Sequence, residues 1–287
     1  MCGIAGFVDF KAQSSEVLLR KMTERLHHRG PDDGGIFFTE RNGVQIGLGH
    51  RRLSILDLSS HGHQPMAFEG VQIVYNGEVY NFKEIREDLE REGYRFDSAS
   101  DTEVILKSYH RWGLDALKRF NGMFAIAIFD SGKNRCYLIR DRSGIKPLYW
   151  YQKEGTLLFA SELKSFHIWP GFDKRIDLDA VGLFLQYQYI PEPRSIFRYV
   201  KKLRAGHYCE IDLKNEKVYE HRYWDVIDHY NRPTLDLSES EAMKETERLL
   251  KSAFEYRMVS DVPVGIFLSG GYDSSIVTAL LQQDRTE

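Results

Sequence analysis

A cysteine stands directly behind the initiator methionine, in the opening Met1-Cys2-Gly3. Initiator methionine is normally removed when a small residue follows it, so Cys2 is expected to carry a free α-amine. The α-amine titrates near about 8 and the thiol near about 8.5, so a proton moves between them at little cost. An N-terminal amine can activate the nucleophile of its own residue without a histidine or a metal. A lone cysteine is more often a buried small apolar residue, so its context has to decide.

A glycine-rich segment, Ser269-Gly270-Gly271-Tyr272-Asp273-Ser274-Ser275, stands near the other end of the sequence. It lies between Val262 to Leu268, an apolar run that predicts a strand, and a predicted helix with Ile276 and Leu280. A glycine turn at such a junction lets backbone N–H groups and the helix N-terminus surround a phosphate. The segment lacks the Gly-Lys-Ser/Thr ending of a Walker A loop, which argues against γ-phosphoryl transfer. Many strand-to-helix joins carry such a turn by chance.

Length and composition limit the classes of protein that need to be considered. The 287 residues allow about two domains, and 42% hydrophobic with 28% charged residues suits a chain with a packed core. The formal charge of −3 argues against nucleic acid as the main ligand. No apolar run reaches the roughly 20 residues of a membrane span, and the N-terminus lacks the basic region of a signal peptide. Three scattered cysteines exclude a disulfide framework, so we expect a cytoplasmic protein.

Hydrophobic periodicity predicts a mixed α and β N-terminal region. Helices are predicted around Leu18 and Met22, around Ile85 and Leu89, and after Ser100, where Glu103 completes a capping box. A further capping box, Ser238 with Glu241, opens a helix beyond a polar segment. Strands are predicted for Gly3 to Val8, Val44 to Leu48, Val71 to Tyr75, Met123 to Phe129 and Cys136 to Ile139.

The opening segment Met1 to Phe7 resembles that of the class II glutamine amidotransferases, a branch of the N-terminal nucleophile hydrolases. The resemblance continues in order through Arg29-Gly30-Pro31-Asp32, His50-Arg51-Arg52-Leu53-Ser54-Ile55, Gln64-Pro65-Met66, Tyr75-Asn76-Gly77-Glu78-Val79-Tyr80-Asn81, Ser100-Asp101-Thr102-Glu103 and Arg140-Asp141. It implies an αββα sandwich, a four-layer α+β fold, for a glutaminase domain over residues 2–224. A linker over 225–236 is expected to follow.

The same resemblance implies a glutamine site. Cys2 would be the nucleophile, and the side-chain amide of Asn76 and the N–H of Gly77 would form the oxyanion hole. Arg52 would bind the α-carboxylate of glutamine, and Glu78 and Asp101 its α-amine. The backbone of Leu53, Ser54, Ile55 and Leu56 would line one wall. No tightly bound cofactor is implied for this domain.

Simpler interpretations of the same residues stay open in the sequence. Asn76-Gly77 is typical of the turn of an ordinary hairpin. Asp101 is the first residue after the N-cap Ser100, where the helix dipole alone favours a carboxylate. Arg52 by itself is compatible with a solvated surface charge.

The glycine-rich segment resembles the PP-loop of the ATP pyrophosphatases, which activate a carboxylate or carbonyl as an adenylate. The resemblance implies that Ser269, Gly270, Gly271, Ser274 and Ser275 hold the phosphates of ATP. Leu268 would border the adenine, and Asp273 would help to hold Mg²⁺. These elements would belong to the start of a parallel α/β synthetase domain over residues 237–287.

The two halves together resemble the glutamine-hydrolysing asparagine synthetases. This implies a glutamine-dependent amide ligase whose substrates are L-glutamine, ATP and L-aspartate. Ammonia from glutamine would displace AMP from an aspartyl-adenylate to give asparagine. A homodimer is compatible with the resemblance. The 51 residues from Leu237 to Glu287 are too few to cover a parallel sheet, so the chain is expected to hold a complete glutaminase and only the first phosphate-binding element of the ligase.

Three other functions stay open. A related amidotransferase would use a sugar acid, a β-amino acid or a cell-surface polysaccharide precursor as acceptor. A phosphoribosyl or hexosamine amidotransferase would share the cysteine but not the adenylating loop. A non-catalytic fragment would act as a partner of an intact subunit.

Overall fold

The computed structural model describes residues 1–283, and the chain divides into two compact units, Met1–Asp225 and the residues from Val226 onward. The strands of the first unit are β1 (Gly3–Asp9), β2 (Asp33–Arg41), β3 (Val44–Arg52), β4 (Met66–Phe68), β5 (Val71–Val79), β6 (Gly122–Asp130), β7 (Arg135–Arg140), β8 (Tyr149–Lys153), β9 (Thr156–Ala160), β10 (Val200–Lys202), β11 (His207–Asp212) and β12 (Lys217–Arg222). Its helices are α1 (Glu16–Glu24), α2 (Phe82–Arg91), α3 (Asp101–Trp112) and α4 (Leu178–Tyr187), with short 3-10 helices at His27–Arg29, Ser60–Gly62, Gly113–Lys118 and Leu163–Ile168.

Two antiparallel six-stranded sheets form the centre of the first unit. The order of the first sheet is β10-β8-β9-β1-β3-β2, and that of the second is β12-β11-β7-β6-β5-β4. Strand β1 pairs with β3 on one side and with β9 on the other, so the residues next to Cys2 lie in the middle of a sheet.

Alternating side chains of β1 divide the core into two layers, as the two-residue period of a strand requires. Ile4 and Val8 point between the two sheets, into an apolar cluster that includes Ala127 of β6. Ala5 and Phe7 point to the other face, where α1 and the 3-10 helix Leu163–Ile168 cover the first sheet. Helices α2 and α3 contact each other, and α3 packs on β4 and β5 of the second sheet. The layers are therefore helix, sheet, sheet, helix, as predicted.

The predicted N-terminal helices are confirmed, and their ends follow from their capping residues. The hydroxyl of Ser15 accepts a hydrogen bond from the N–H of Leu18 at the start of α1, and Ser100 does the same for Thr102 at the start of α3. Helix α3 ends at Gly113, whose φ of 59° favours glycine.

The predicted capping box at the start of α3 is wrong. The carboxylate of Glu103 accepts hydrogen bonds from the N–H groups of Asp97 and Ser98 and from the ammonium of Lys107. Other neighbours in the sequence, within six residues of Glu103, therefore take the carboxylate that the capping-box pattern assigns to the N-cap. The second predicted box, Ser238 with Glu241, is formed.

The interpretation of Asn76-Gly77 as a hairpin turn is also wrong. Both residues lie inside the continuous strand β5, which pairs along its whole length with β6. A Cβ atom on Gly77 would overlap the carbonyl oxygen of Met123 in β6. Glycine serves here for close approach of two strands and not for a turn.

The second unit contains α5 (Val226–Tyr230), α6 (Glu239–Tyr256) and α7 (Tyr272–Gln282). Helix α5 lies within the residues predicted as a linker. The predicted strand Val262 to Leu268 is wrong, because these residues form no strand. An isolated strand leaves its N–H and C=O groups without partners, and the described part of this unit has no sheet to receive it. No helix within residues 1–283 is long and apolar enough to span a bilayer.

Candidate active site

A cavity of about 200 Å³ opens in the first unit, where Cys2 precedes β1 and β3 ends. The second half of β5 and the first turn of α3 complete its walls. The predicted site residues that line it are Cys2, Arg52, Leu53, Ile55, Leu56, Asn76, Gly77, Glu78 and Asp101. Ser54 does not line it; its N–H instead donates to a carboxylate oxygen of Asp32 at 2.8 Å.

The thiol of Cys2 contacts the backbone of Leu53. Its Sγ lies 3.4 Å from the N–H nitrogen of Leu53, which donates to it, and 3.6 Å from the carbonyl oxygen of the same residue. Burial raises the pKa of the thiol, although the N–H of Leu53 and the nearby N-terminal amine both lower it. Burial also lowers the pKa of the α-amine on Met1. Thiol and amine thus both favour their neutral forms.

Arg29, whose side chain is largely covered, fixes the backbone at Cys2. Its Nε donates to the carbonyl oxygen of Cys2 at 2.9 Å, and its Nη1 lies 2.9 Å from Oε1 of Glu162. Burial acts to raise the pKa of Glu162, but hydrogen bonds from Arg29 and Lys164 lower it to about 2. The carboxylate therefore stays ionised and holds Arg29 in place across the ordinary pH range.

Asn76 carries a buried amide nitrogen that has no hydrogen-bond partner. The residue is 1% exposed, and its Nδ2 finds no acceptor among the described residues. Burying an unpaired donor costs about 1–3 kcal/mol, and buried amides are nearly always paired. Asn76 lines the same cavity as Cys2, so this unpaired donor belongs to a residue of the cavity wall.

Two carboxyl groups, Glu78 and Asp101, lie in the cavity wall. Oδ2 of Asp101 accepts hydrogen bonds from the hydroxyl of Tyr75 at 2.7 Å and from the N–H of Val79 at 3.0 Å. Burial raises the pKa of Asp101 to about 6, although both of these donors lower it. Burial and the charge of Asp101 also raise the pKa of Glu78. Two carboxyl groups near enough for one to raise the pKa of the other attract a cation to the space between them.

Arg52 is buried, so its interpretation as a solvated surface charge is wrong. Its Nη1 donates to the carbonyl oxygen of Ser59 at 2.9 Å, and its Nη2 donates to those of Leu56 and Asp57. A Cβ atom on Gly62 would overlap Nη2, so the glycine leaves room for the guanidinium. The side chain thereby holds the loop after β3 and presents a positive charge at the cavity.

Comparison with known proteins identifies the family. Residues 1–224 match the family model of the glutamine amidotransferase domain. The chain belongs to this family. The expected resemblance is thus confirmed for the first unit, and residues 245–287 match the family model described as asparagine synthase.

The relatives of this glutamine amidotransferase chain include longer proteins. A provisionally named glutamine-hydrolysing asparagine synthetase 2 of Methanocaldococcus jannaschii is 40% identical over 99% of this chain and 57% of its own length. Glutamine-hydrolysing asparagine synthetase 3 of Bacillus subtilis is 35% identical over 98% of this chain and 45% of its own length. The chain spans about half the length of the curated relatives it matches.

A solved structure supports the sandwich fold of the amidotransferase domain. Glutamine phosphoribosylpyrophosphate amidotransferase from B. subtilis, complexed with ADP and GMP, superposes with a TM-score of 0.59 and 16% identity. The match covers 97% of this chain and 63% of that chain. At this identity the likeness shows the fold alone, and it confirms the predicted αββα sandwich.

The amidotransferase cavity also contains residues to which the sequence analysis assigned no role, among them Gln64, Tyr75, Thr102 and Lys146. Oε1 of Gln64 accepts a hydrogen bond from the N–H of Tyr75 at 2.7 Å, and its Nε2 donates to Oγ1 of Thr102 at 3.1 Å. Gln64, Tyr75 and Thr102 belong to the recognised motifs, which is the signal that could have found them. Lys146 has no local signal, because only the loop after β7 brings it to the cavity.

The glycine-rich segment of the second unit forms a turn ahead of α7. Gly270 has a φ of 81°, and Gly271 is the N-cap of the helix without a side-chain hydrogen bond. The hydroxyls of Ser274 and Ser275 both donate to the carbonyl oxygen of Gly271, at 3.2 and 2.9 Å. Leu268 is exposed, and Asp273 lies in the exposed first turn of the helix. The predicted ATP-binding residues therefore lie together in one loop and helix N-terminus.

Proposed function

We propose that this chain hydrolyses L-glutamine to glutamate and ammonia. The α-amine of a processed Cys2 takes the thiol proton, and the thiolate attacks the side-chain amide carbon of glutamine. The C–N bond then breaks, ammonia leaves with that proton, and water hydrolyses the resulting thioester. These bond changes and proton transfers balance with the substrate, water and Cys2 alone.

The unpaired Nδ2 of Asn76 is the observation that carries the proposal. An oxyanion develops on the amide oxygen when the thiolate attacks, and a donor already buried at the cavity stabilises it without reorganisation. A buried donor without a protein partner costs free energy, and the substrate oxygen would supply the missing acceptor. The N–H of Gly77, next along β5, is the proposed second donor.

The remaining predicted residues suit the two charged ends of glutamine. We assign the α-carboxylate to Arg52, whose guanidinium is oriented by three backbone carbonyls. We assign the α-amine to Glu78 and Asp101, whose proximity favours a bound cation. The backbone of Leu53, Ile55 and Leu56 forms the wall between them.

We further propose that the whole protein uses the ammonia to amidate an ATP-activated carboxylate, with aspartate as acceptor. Support comes from the match of residues 245–287 to the asparagine synthase family and from the names of the relatives. The uncapped N-terminus of α7 and the turn at Gly270 suit phosphate oxygens, and the carboxylate of Asp273 suits Mg²⁺ bound together with them. A cytoplasmic location is proposed on the three free cysteines.

The test is glutamine hydrolysis by the purified chain and by its Cys2→Ala variant, measured as glutamate released. The wild-type chain is expected to release glutamate, and the variant is expected to fall to the rate of buffer alone. Cys136→Ala is the matched control, because Cys136 is buried in the core between the two sheets, and it should keep the wild-type rate. Unchanged hydrolysis by the Cys2→Ala variant would refute the proposed nucleophile.

A further inference from the structure

Tyr75 is held at three points by residues from different elements. Its N–H donates to Oε1 of Gln64 at 2.7 Å, and its carbonyl oxygen lies 3.0 Å from Nε2 of the buried His50 on β3. Its hydroxyl donates to Oδ2 of Asp101 at 2.7 Å. The residue is 3% exposed and lines the cavity. These contacts give the phenol a single orientation before any ligand binds.

The phenol of Tyr75 stays a donor across the ordinary pH range. Burial and the negative charge of Asp101 raise its pKa well above the usual value of 10. Burial lowers the pKa of His50 to about 3, so the ring is neutral and donates from Nε2 to the carbonyl of Tyr75. Neither group changes its protonation between pH 5 and 9.

The carboxyl of Asp101 depends on the few donors that reach it. Strand β5 supplies the hydroxyl of Tyr75 and the N–H of Val79, and the start of α3 supplies the N–H groups of Asp101 itself and Thr102. The charged or titratable groups facing it are Glu78 on β5 and Cys2 ahead of β1. Arg52 and Lys146 bring positive charge to the same cavity, but neither is among these donors, so the loss of one donor acts directly on the orientation of the carboxylate.

We propose that Tyr75 is a positioning residue for glutamine recognition, which acts by orienting Oδ2 of Asp101 so that the other carboxylate oxygen faces the α-amine of the substrate. The inference rests on the proposed function and deepens it. Tyr75 directly precedes Asn76. The contacts that hold Tyr75 therefore fix both the subsite for the α-amine and the position of β5 at the residue that carries the oxyanion donor. Phenylalanine would fill the same space but could not hold the carboxylate.

The experiment compares Tyr75→Phe with wild type on two substrates, L-glutamine and glutaramate, which is glutamine without its α-amine. For glutamine, kcat/KM is expected to fall about tenfold in the variant. The fall should come from a higher KM, and kcat should stay within about twofold of wild type. For glutaramate, kcat/KM should be unchanged, because this substrate has nothing for Asp101 to bind. Partial unfolding would lower both values equally, so the ratio between the substrates is independent of the fraction of active protein.

A matched control is available on α3, the helix that carries Asp101. The hydroxyl of Tyr109 donates to Oδ2 of the buried Asp130 at 2.7 Å, the same contact at the same distance, but neither residue lines the cavity. Tyr109→Phe should leave the ratio between the two substrates as in wild type.

In Tyr75→Phe, the loss of a donor also raises the pKa of Asp101, so the acid limb of kcat/KM for glutamine should move to higher pH.

The outcomes separate the two proposals. A wild-type chain that hydrolyses no glutamine overturns the proposed function together with this inference. A wild-type chain that hydrolyses glutamine with the same kcat/KM as Tyr75→Phe overturns the inference alone. An equal loss on glutamine and glutaramate also overturns it, because a general structural effect would then account for the change.

Discussion

Removal of the side-chain amide of Asn76 should lower the rate of catalysis without lowering the stability of the fold. In the transition state its Nδ2 donates to the oxyanion, and one such donor is worth about 3–4 kcal/mol of barrier. At about 1.4 kcal/mol for each factor of ten, Asn76→Ala should lower kcat about 100-fold to 1,000-fold. KM should change little, because the amide oxygen of bound glutamine carries no full charge before attack.

The same substitution should leave the fold intact. The amide nitrogen has no hydrogen-bond partner to lose among the described residues, and an unpaired buried donor costs about 1–3 kcal/mol. Its removal offsets the lost packing of the side chain, so the free energy of unfolding should stay within about 1 kcal/mol of wild type or rise.

Asn81, five residues further on, is the matched control. Its Nδ2 donates to the carbonyl oxygen of Arg119 at 3.0 Å, and its Oδ1 accepts from the N–H of Asn121 at 2.8 Å. Asn81→Ala should therefore lose about 1 kcal/mol of stability and keep kcat. Steady-state glutamate release and denaturant unfolding of both variants measure the two effects. A full kcat in Asn76→Ala, or equal loss of stability in both variants, would refute the reasoning.

Three further predictions follow from the geometry of the cavity. Because the pKa of Asp101 is raised to about 6, protonation below that pH removes the partner of the α-amine, so KM for glutamine should rise as the pH falls from 7 to 5; a flat KM would contradict this. Gly62→Ala displaces the guanidinium of Arg52, and calorimetry should show weaker glutamine binding together with a lower melting temperature, because the hydrogen bonds of Arg52 to the loop after β3 are disturbed; wild-type binding would contradict this. In Gly77→Ala the new Cβ meets backbone of β6, so unfolding by denaturant should show a loss of about 1–3 kcal/mol, and a stable variant would oppose this account.

Much of the first unit was predictable because local pattern and tertiary packing agree there. The apolar runs of β1, β6 and β7 lie where the sequence predicts strands, and Ser15 and Ser100 cap the helices that follow them. Capping hydroxyls and alternating side chains act over a few residues, so their effects are visible in the chain itself.

The errors arise where a residue has a choice of partners and the local pattern points to the wrong one. Asn76-Gly77 is a common turn signal, and only the pairing of β5 with β6 makes it the middle of a strand. Glu103 has the correct spacing for a capping box, but Lys107 and the backbone at Ser98 take its carboxylate. Both outcomes depend on contacts that one sequence cannot show.

For the site, only the identity of the residues could be predicted, and this prediction came from the resemblance to a family. That resemblance named Arg52 and Asp101, but not the carbonyls that orient Arg52 or the hydroxyl that orients Asp101. Gln64, His50 and Tyr75 come from three different elements and meet only after both sheets have formed. The positioning of a reactive group is a property of tertiary structure.

The most direct test of a nucleophilic Cys2 is to locate the adduct formed with a chloroketone analogue of glutamine. Mass spectrometry of the treated chain should find one label, on a cysteine that has become the first residue, and excess glutamine should protect it. A label on Cys136 or Cys209, or on a Cys2 that still carries Met1, would contradict the proposed mechanism.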